Sequence, residues 1–491
     1  MIRCLCVTLG AALLAAAYPN AAQAAPTPRD WLEPCRLNQS AFVPSVSAQC
    51  GQLDVPLNPD EPSGATLTLE VAVIPALNIN PAADPLVLIA GGPGQSTIEF
   101  YLASQNAFAA VRLEREIILV DQRGTGRSNP LVCDTGNDEM MTPETIDEVA
   151  AAASVCLDGL NADPRYFTTS VAVRDLDAVR TALGVQAVNV YGVSYGTRVA
   201  QHFMRRFPDS TRRVILDGVV HPELVLGPGI AIDAQRALSN LFARCSADSA
   251  CAERYGDLTN RFASLLETLQ AAPVALSLAD PVTGEQREFV LGDDELGAAM
   301  RLLSYSPLTS ALLPLLIDEA ANGNYQPLAA QVAMVERDLS GMLNLGMHNA
   351  VVCTEDMPFY EPDATEDAAI AKSYLGRLNI DSLQAICDVW PAGFIDDDFR
   401  EPLTSDIPTL LLSGENDPVT PPTYADVAAQ QLRQSQHIVG PDYGHGLAGH
   451  GCVPTLMAAF LDDEEPLPVE ASCVDKLAVM PFFIDYAGPA R

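Results

Sequence analysis

Lysine is almost missing from this sequence: Lys372 and Lys476 are the only two, so arginine carries nearly all of the positive charge. The balance is strongly acidic, with 63 Asp and Glu against 28 Lys and Arg and a formal net charge of −35. No basic cluster stands out, which argues against a nucleic-acid partner, because a phosphate-binding surface needs grouped Lys and Arg. The acidity reads as solubility, with salt tolerance as a second reading, and it identifies no partner. C-x-x-C pairs are absent and the histidines do not gather near the cysteines, so no metal site is expected. Beyond the N-terminal segment no apolar run approaches the ~20 residues that span a bilayer. Internal repeats and low-complexity tracts are lacking as well.

The N-terminus reads as an export signal, residues 1–24. Arg3 gives a short basic region, residues 6–18 an apolar run, and "AQA" at 22–24 a small-residue cleavage site. An uncleaved anchor is the alternative. Removing the signal takes Cys4 and Cys6 with it and leaves ten of the twelve cysteines. In a secreted or periplasmic protein that number suggests disulfides. Spacing alone does not determine connectivity; pairing sequence neighbours gives Cys35–Cys50, Cys133–Cys156, Cys245–Cys251, Cys353–Cys387 and Cys452–Cys473.

Residues 26–60, rich in Pro, Asn, Ser and Asp, read as a surface lead-in. "ATLTLEVAVIPA" (65–76) alternates like a strand with one solvated face. Short apolar runs follow at "PLVLIA" (85–90), "IILVD" (117–121), "VNVYGV" (188–193), "RVILDG" (213–218) and "PTLLLSG" (408–414). Such continuous runs suit a parallel sheet covered on both faces. "SVAVRDLDAVRTALG" (170–184) between two of them has helical spacing, capped by Thr169 or Ser170. Strand–helix alternation implies an α/β fold with right-handed crossovers. It stops near residue 220 and resumes near 405. The helical stretch between, including 258–270 and 300–320, reads as a cap domain (220–405) inserted between core segments 25–219 and 406–491.

Chemistry enters at "VNVYGVSYGTRVA" (188–200). A strand runs into Gly-Val-Ser-Tyr-Gly and then into a helix, which holds Ser194 at a sharp corner with its hydroxyl exposed. A chance Gly-Ser turn is the bland alternative. A serine hydroxyl needs a base to take its proton and a carboxylate to orient that base. After an elbow of this kind the acid and then the histidine follow in chain order. The histidines are His202, His221, His348, His437, His445 and His450. His445, in the Gly-flanked loop "PDYGHGLAG", is the choice; His437 is expected to face solvent, and His450 is the competitor. Asp417, at the end of the strand in "LLLSGENDPVTPP" (410–422), is the expected acid, with Glu415 as fallback. The oxyanion hole needs two backbone N–H groups. Tyr195, after the nucleophile, and Gly92, in "GGPGQS" (91–96), are the candidates.

Together "GGPG", "DQRGTGRS" (121–128), "GVSYGT" and "GENDPVTPP" resemble the proline iminopeptidase and tripeptidyl aminopeptidase branch of the α/β-hydrolases. The exported, disulfide-containing tripeptidyl aminopeptidase-like members are the nearer match. The resemblance covers about 85–220 and 405–460. Ala90 departs from it, because proline iminopeptidases usually carry histidine before Gly-Gly-Pro-Gly; this moves the expectation away from strict proline specificity. The resemblance implies a mostly parallel sheet with helices on both faces and a large helical cap. It implies a serine aminopeptidase acting on peptides with a free N-terminus and needing no cofactor. Asp121 and Arg123 would brace the loop beside the oxyanion turn. "NAVVCTEDMPF" (349–359) resembles the family's cap-side acidic motif, which implies that Glu355 and Asp356 bind the substrate's α-ammonium. Surface acids are the bland reading of that pair. A carboxylesterase or lipase using the same triad is the alternative function, and a non-catalytic binding protein on the same scaffold a third.

Overall fold

Runs of Val, Ile and Leu with no polar alternation become strands when helices can cover both faces of the sheet. That is the arrangement in the computed structural model, which describes residues 29–38, 45–133, 145–279 and 284–490. The expected signal segment lies outside the described residues. One sheet holds nine strands: β1 (Glu33–Leu37), β2 (Val46–Pro56), β3 (Thr66–Ile74), β4 (Leu86–Ile89), β5 (Ile117–Val120), β6 (Val188–Val193), β7 (Thr211–Asp217), β10 (Thr409–Gly414) and β11 (Ser435–Gly440). Their order is β1-β2-β3-β5-β4-β6-β7-β10-β11; the first four pair antiparallel and the rest run parallel from β5 onward. The direction of winding reverses at β4, so the loops after β4 and β6 open side by side where an open sheet leaves a crevice.

Alternate residues of each central strand feed two cores. Val87, Ile89, Val188 and Val190 pack with Val173, Leu176 and Val199 of the helices Thr169–Ala182 and Tyr195–Arg206. Leu86, Leu88 and Tyr191 pack with Tyr101 and Phe460 of Thr97–Ser104 and Val453–Asp462. This is the mostly parallel, doubly covered sheet that the sequence implies.

Between β7 and β10 the chain puts no described strand into the sheet. Residues 230–342 contain a small hairpin of β8 (Val274–Ala279) and β9 (Gln286–Leu291) and helices around their own apolar cluster, with Leu238, Phe262, Leu296 and Leu316. The next helix, Leu345–Glu355, behaves differently. Its Met347, Ala350 and Val351 pack with Tyr195 and Val199 in the sheet's core. The segment read as one cap therefore contains two kinds of structure.

Three other readings need correction. β1 and β2 lie in the polar stretch read as a lead-in; β2 buries alternate residues such as Val46 and Ala48, a pattern its Ser, Gln and Asp content obscures. The helical pattern at 300–320 is divided into Asp293–Leu303, Pro307–Ser310 and Leu313–Ala321, because proline suits a helix's first turn and breaks its interior. The C-terminal segment also leaves the core: Phe482 joins the cap cluster, and the phenol of Tyr255 donates to the Phe483 carbonyl at 2.5 Å. There the short pair β12 (Phe483–Asp485) and β13 (Gly488–Pro489) forms. All five neighbour pairings occur as disulfides, Cys35–Cys50, Cys133–Cys156, Cys245–Cys251, Cys353–Cys387 and Cys452–Cys473.

Candidate active site

Ser194 follows the last residue of β6 and precedes the helix Tyr195–Arg206, with φ 55° and ψ −128°. Positive φ on a non-glycine residue is strained and persists only where the surroundings enforce it. Here both neighbouring glycines are needed for space. A Cβ on Gly192 would run into the Gly196 carbonyl, and one on Gly196 into the Ile89 carbonyl. The Ser194 N–H donates to the Asp217 carbonyl at 2.9 Å, which fixes the elbow to the end of β7.

His445 lies in the loop after β11. Its Nδ1 is 2.8 Å from Oδ2 of Asp417, which is fully buried at the end of β10. Asp417 Oδ1 accepts the N–H groups of Val419 and Thr420, both at 2.8 Å, and Oδ2 accepts the Thr420 hydroxyl at 2.7 Å. Burial pushes this carboxyl's pKa up, but His445 and these donors outweigh it and hold it below the ordinary value. For His445, burial acts to lower the pKa, and the Asp417 carboxylate overrides it, so the imidazole is more basic than usual. The ring stands over Gly218, where a Cβ would come within 3.2 Å of Cε1, one residue beyond the carbonyl that holds Ser194. Ser194, Asp417 and His445 thus converge on the ends of β6, β7 and β10.

Two residues that the sequence reading missed complete this side. The Thr420 hydroxyl lies 3.1 Å from His445 Nδ1; its signal was the spacing of Asp417 and Thr420 in "DPVT", which suits a side chain turning back on its own backbone. Tyr305, from the cap, packs its ring 4.9 Å from the imidazole and accepts the His445 N–H on its carbonyl at 2.8 Å. No local signal marked it. The rival residues have other partners. Glu415 accepts the Asp442 N–H at 3.0 Å, and His450 packs on Tyr443. His437 does not face solvent as expected: its ring nitrogens meet Asp426 and Ser413, each at 2.9 Å.

The "GGPG" turn closes on the elbow. A Cβ on Gly91 would lie 3.0 Å from that of Ser194; Gly92 follows at φ 104°. Tyr195 opens its helix, where N–H groups have no intrahelical acceptor. Both candidate oxyanion donors therefore border Ser194. Asp121 accepts from the Ser96 hydroxyl (2.7 Å) and the N–H groups of Ile98 (3.1 Å) and Arg127 (3.2 Å), tying "DQRGTGRS" to the segment after the turn. Arg123 reaches the other way, into Asp175 and the carbonyls of Pro56, Leu57 and Tyr166.

Glu355 and Asp356 need a correction. Both are fully buried, not open to a substrate. Asp356 pairs with both Arg198 Nη atoms (2.9 and 3.1 Å) and accepts the Leu226 N–H at 2.7 Å. Glu355 accepts the N–H (2.6 Å) and hydroxyl (2.9 Å) of Thr169, whose hydroxyl also lies 2.6 Å from the Tyr195 phenol. A substrate ammonium would have to displace these partners. Burial raises the Glu355 pKa to about 7. Among the described residues no group of three or more His, Cys, Asp and Glu is placed to hold a metal ion, and no helix is long and apolar enough to cross a membrane.

An elbow serine, a strand-end carboxylate and a loop histidine on such a sheet define a hydrolase of the α/β type. A family model described as the α/β hydrolase fold matches residues 84–244, and one described as TAP-like protein matches 372–473. The chain has the α/β-hydrolase fold. It is 27% identical to serine protease Hip1 of Mycobacterium tuberculosis over 494 residues, covering 91% of each chain. It is 30% identical to tripeptidyl aminopeptidase of Streptomyces lividans over 220 residues, 41% of this chain and 40% of that one. Carboxylesterase B of Mycobacterium tuberculosis is 28% identical over 465 residues, 87% of this chain and 86% of that one.

Proposed function

We propose that this protein is an exported serine peptidase that removes one or a few residues from the free N-terminus of peptides. The observation that carries the reading is the buried Asp417–His445 hydrogen bond beside the strained Ser194 elbow. Ser194 attacks the scissile carbonyl as His445 Nε2 takes its proton. Asp417 holds the ring by Nδ1 and stabilises the imidazolium. The Gly92 and Tyr195 amides receive the developing oxyanion. His445 then protonates the leaving amine, and water, activated the same way, releases the acyl group. The names of two relatives, a serine protease and a tripeptidyl aminopeptidase, support a peptide substrate. Five disulfides support an oxidising compartment outside the cytoplasm.

Similarity to a relative named carboxylesterase favours a second reading, an esterase using the same triad. Matched fluorogenic peptides with free and acetylated N-termini, run beside a short-chain acyl ester, separate the two. The exopeptidase reading expects turnover of the free-amine peptide that acetylation abolishes. Turnover of the ester alone would establish the second reading. In either case Ser194→Ala is expected to lower kcat on the order of 10⁶-fold; a loss of less than tenfold would remove Ser194 from the mechanism.

A further inference from the structure

Asp217 ends β7, opposite Val193 of the nucleophile strand on one side and Leu412 of the Asp417 strand on the other. It is buried, yet it belongs to neither the proposed triad nor the oxyanion hole. Its backbone carbonyl holds the Ser194 N–H at 2.9 Å. Its carboxylate faces the other way, toward the histidine loop: Oδ1 accepts the Leu447 N–H at 2.8 Å, and Oδ2 the Ala448 N–H at 2.9 Å. The Tyr191 phenol, from the nucleophile strand, donates to Oδ2 at 2.9 Å.

We propose that Asp217 is a positioning residue that holds the His445 loop in register with the Ser194 elbow. One residue grips the nucleophile by its main chain and the base's loop by its side chain, so the two reacting groups share one anchor. The loop needs it. His445 is flanked by Gly444 and Gly446, the latter at φ 85°, and glycines leave the backbone free to take other conformations. Two consecutive amides aimed at one carboxylate remove that freedom, and each would otherwise be a buried donor without a partner. A carboxamide, with one acceptor oxygen and a donating NH2, could satisfy only one of them. A carboxylate also favours the imidazolium that His445 becomes when it takes the serine proton. The groups acting electrostatically on His445 are Asp417 in contact, Asp217, and the Arg301 guanidinium from the cap, with the Tyr305 ring packed against it.

The proposal rests on the serine-hydrolase reading, and its test keeps the two apart. Asp217→Asn in the mature protein is expected to lower kcat about 100-fold with little change in KM, as a misplaced catalytic group does. With one negative charge gone, the imidazole becomes less basic, so the acid limb of the pH–rate profile moves to lower pH. Tyr191→Phe guards against failed folding. Its ring remains packed on Phe108, one donor to the carboxylate is lost, and kcat is expected to fall roughly tenfold. Wild-type kcat and an unmoved acid limb in Asp217→Asn, beside an inactive Ser194→Ala, would overturn the Asp217 proposal alone. So would a loss that disappears at a temperature where the variant is fully folded. An active Ser194→Ala would overturn the underlying reading and Asp217's role with it.

Discussion

Two fully buried carboxylates flank the elbow and are held in opposite states. Asp417, on the histidine side, is kept below its ordinary pKa; Glu355, on the cap side, is raised to about 7. Burial pushes both upward. The difference lies in the partners. Asp417 gathers an imidazole, a hydroxyl and two amides around one carboxylate. Glu355 has Thr169, but its nearest cation, an Arg198 Nη 3.9 Å away, is claimed at closer range by Asp356. A buried acid beside a nucleophile is therefore ready for triad chemistry only where the fold gives it a base of its own. On the cap side the same ingredients make a brace: Glu355, Thr169 and the Tyr195 phenol connect the helix Leu345–Glu355 to the residue after Ser194.

Breaking the histidine side should have the largest effect. Asp417→Asn keeps the shape but loses the carboxylate that fixes the imidazole's tautomer, and kcat should fall about 10⁴-fold with the fold unchanged. Steady-state kinetics with circular dichroism would check this; a loss under tenfold would hand the orienting role to another acid. Breaking the cap side should cost stability first. Asp356→Ala leaves Arg198 as a buried charge without its bidentate partner, an expected loss of about 3–5 kcal/mol in denaturant unfolding. If unfolding were unchanged while KM for free-amine peptides rose, Asp356 would be a substrate contact after all.

The smallest effect sharpens the contrast through pH. Because the folded-state pKa of Glu355 is raised from 4.5 to about 7, the native state holds a proton there that the unfolded chain has released. That contribution is complete below pH about 4.5 and is lost as the pH rises through about 7. Glu355→Gln cannot titrate, so its melting temperature relative to wild type should climb between those limits. A constant difference across the range would mean that Glu355 is ionised throughout.

The same comparison separates what the sequence discloses from what it hides. Ser194, Asp417 and His445 sit in short Gly- and Pro-rich turns at strand ends, and a turn of that composition reports its geometry locally. Thr420 was within reach of the same argument, three residues past Asp417. The central strands were equally legible, since an unbroken run such as Leu86–Ile89 has few other places to go. Glu355 and Asp356 were misread because their partners, Thr169, Arg198 and Leu226, lie far away in sequence, and a string of residues does not say which acids tertiary packing will consume. Tyr305 and the tail's Phe482 were hidden for the same reason. β1 and β2 escaped because an edge of the sheet can be built from polar residues with only alternate positions buried.

The most direct test of the account is to label the mature protein with a serine-directed fluorophosphonate and locate the adduct by peptide mapping. A single adduct on Ser194 is expected, formed far more slowly in Asp417→Asn and more slowly in Asp217→Asn. An adduct on another serine, or none on a folded and active protein, would contradict it.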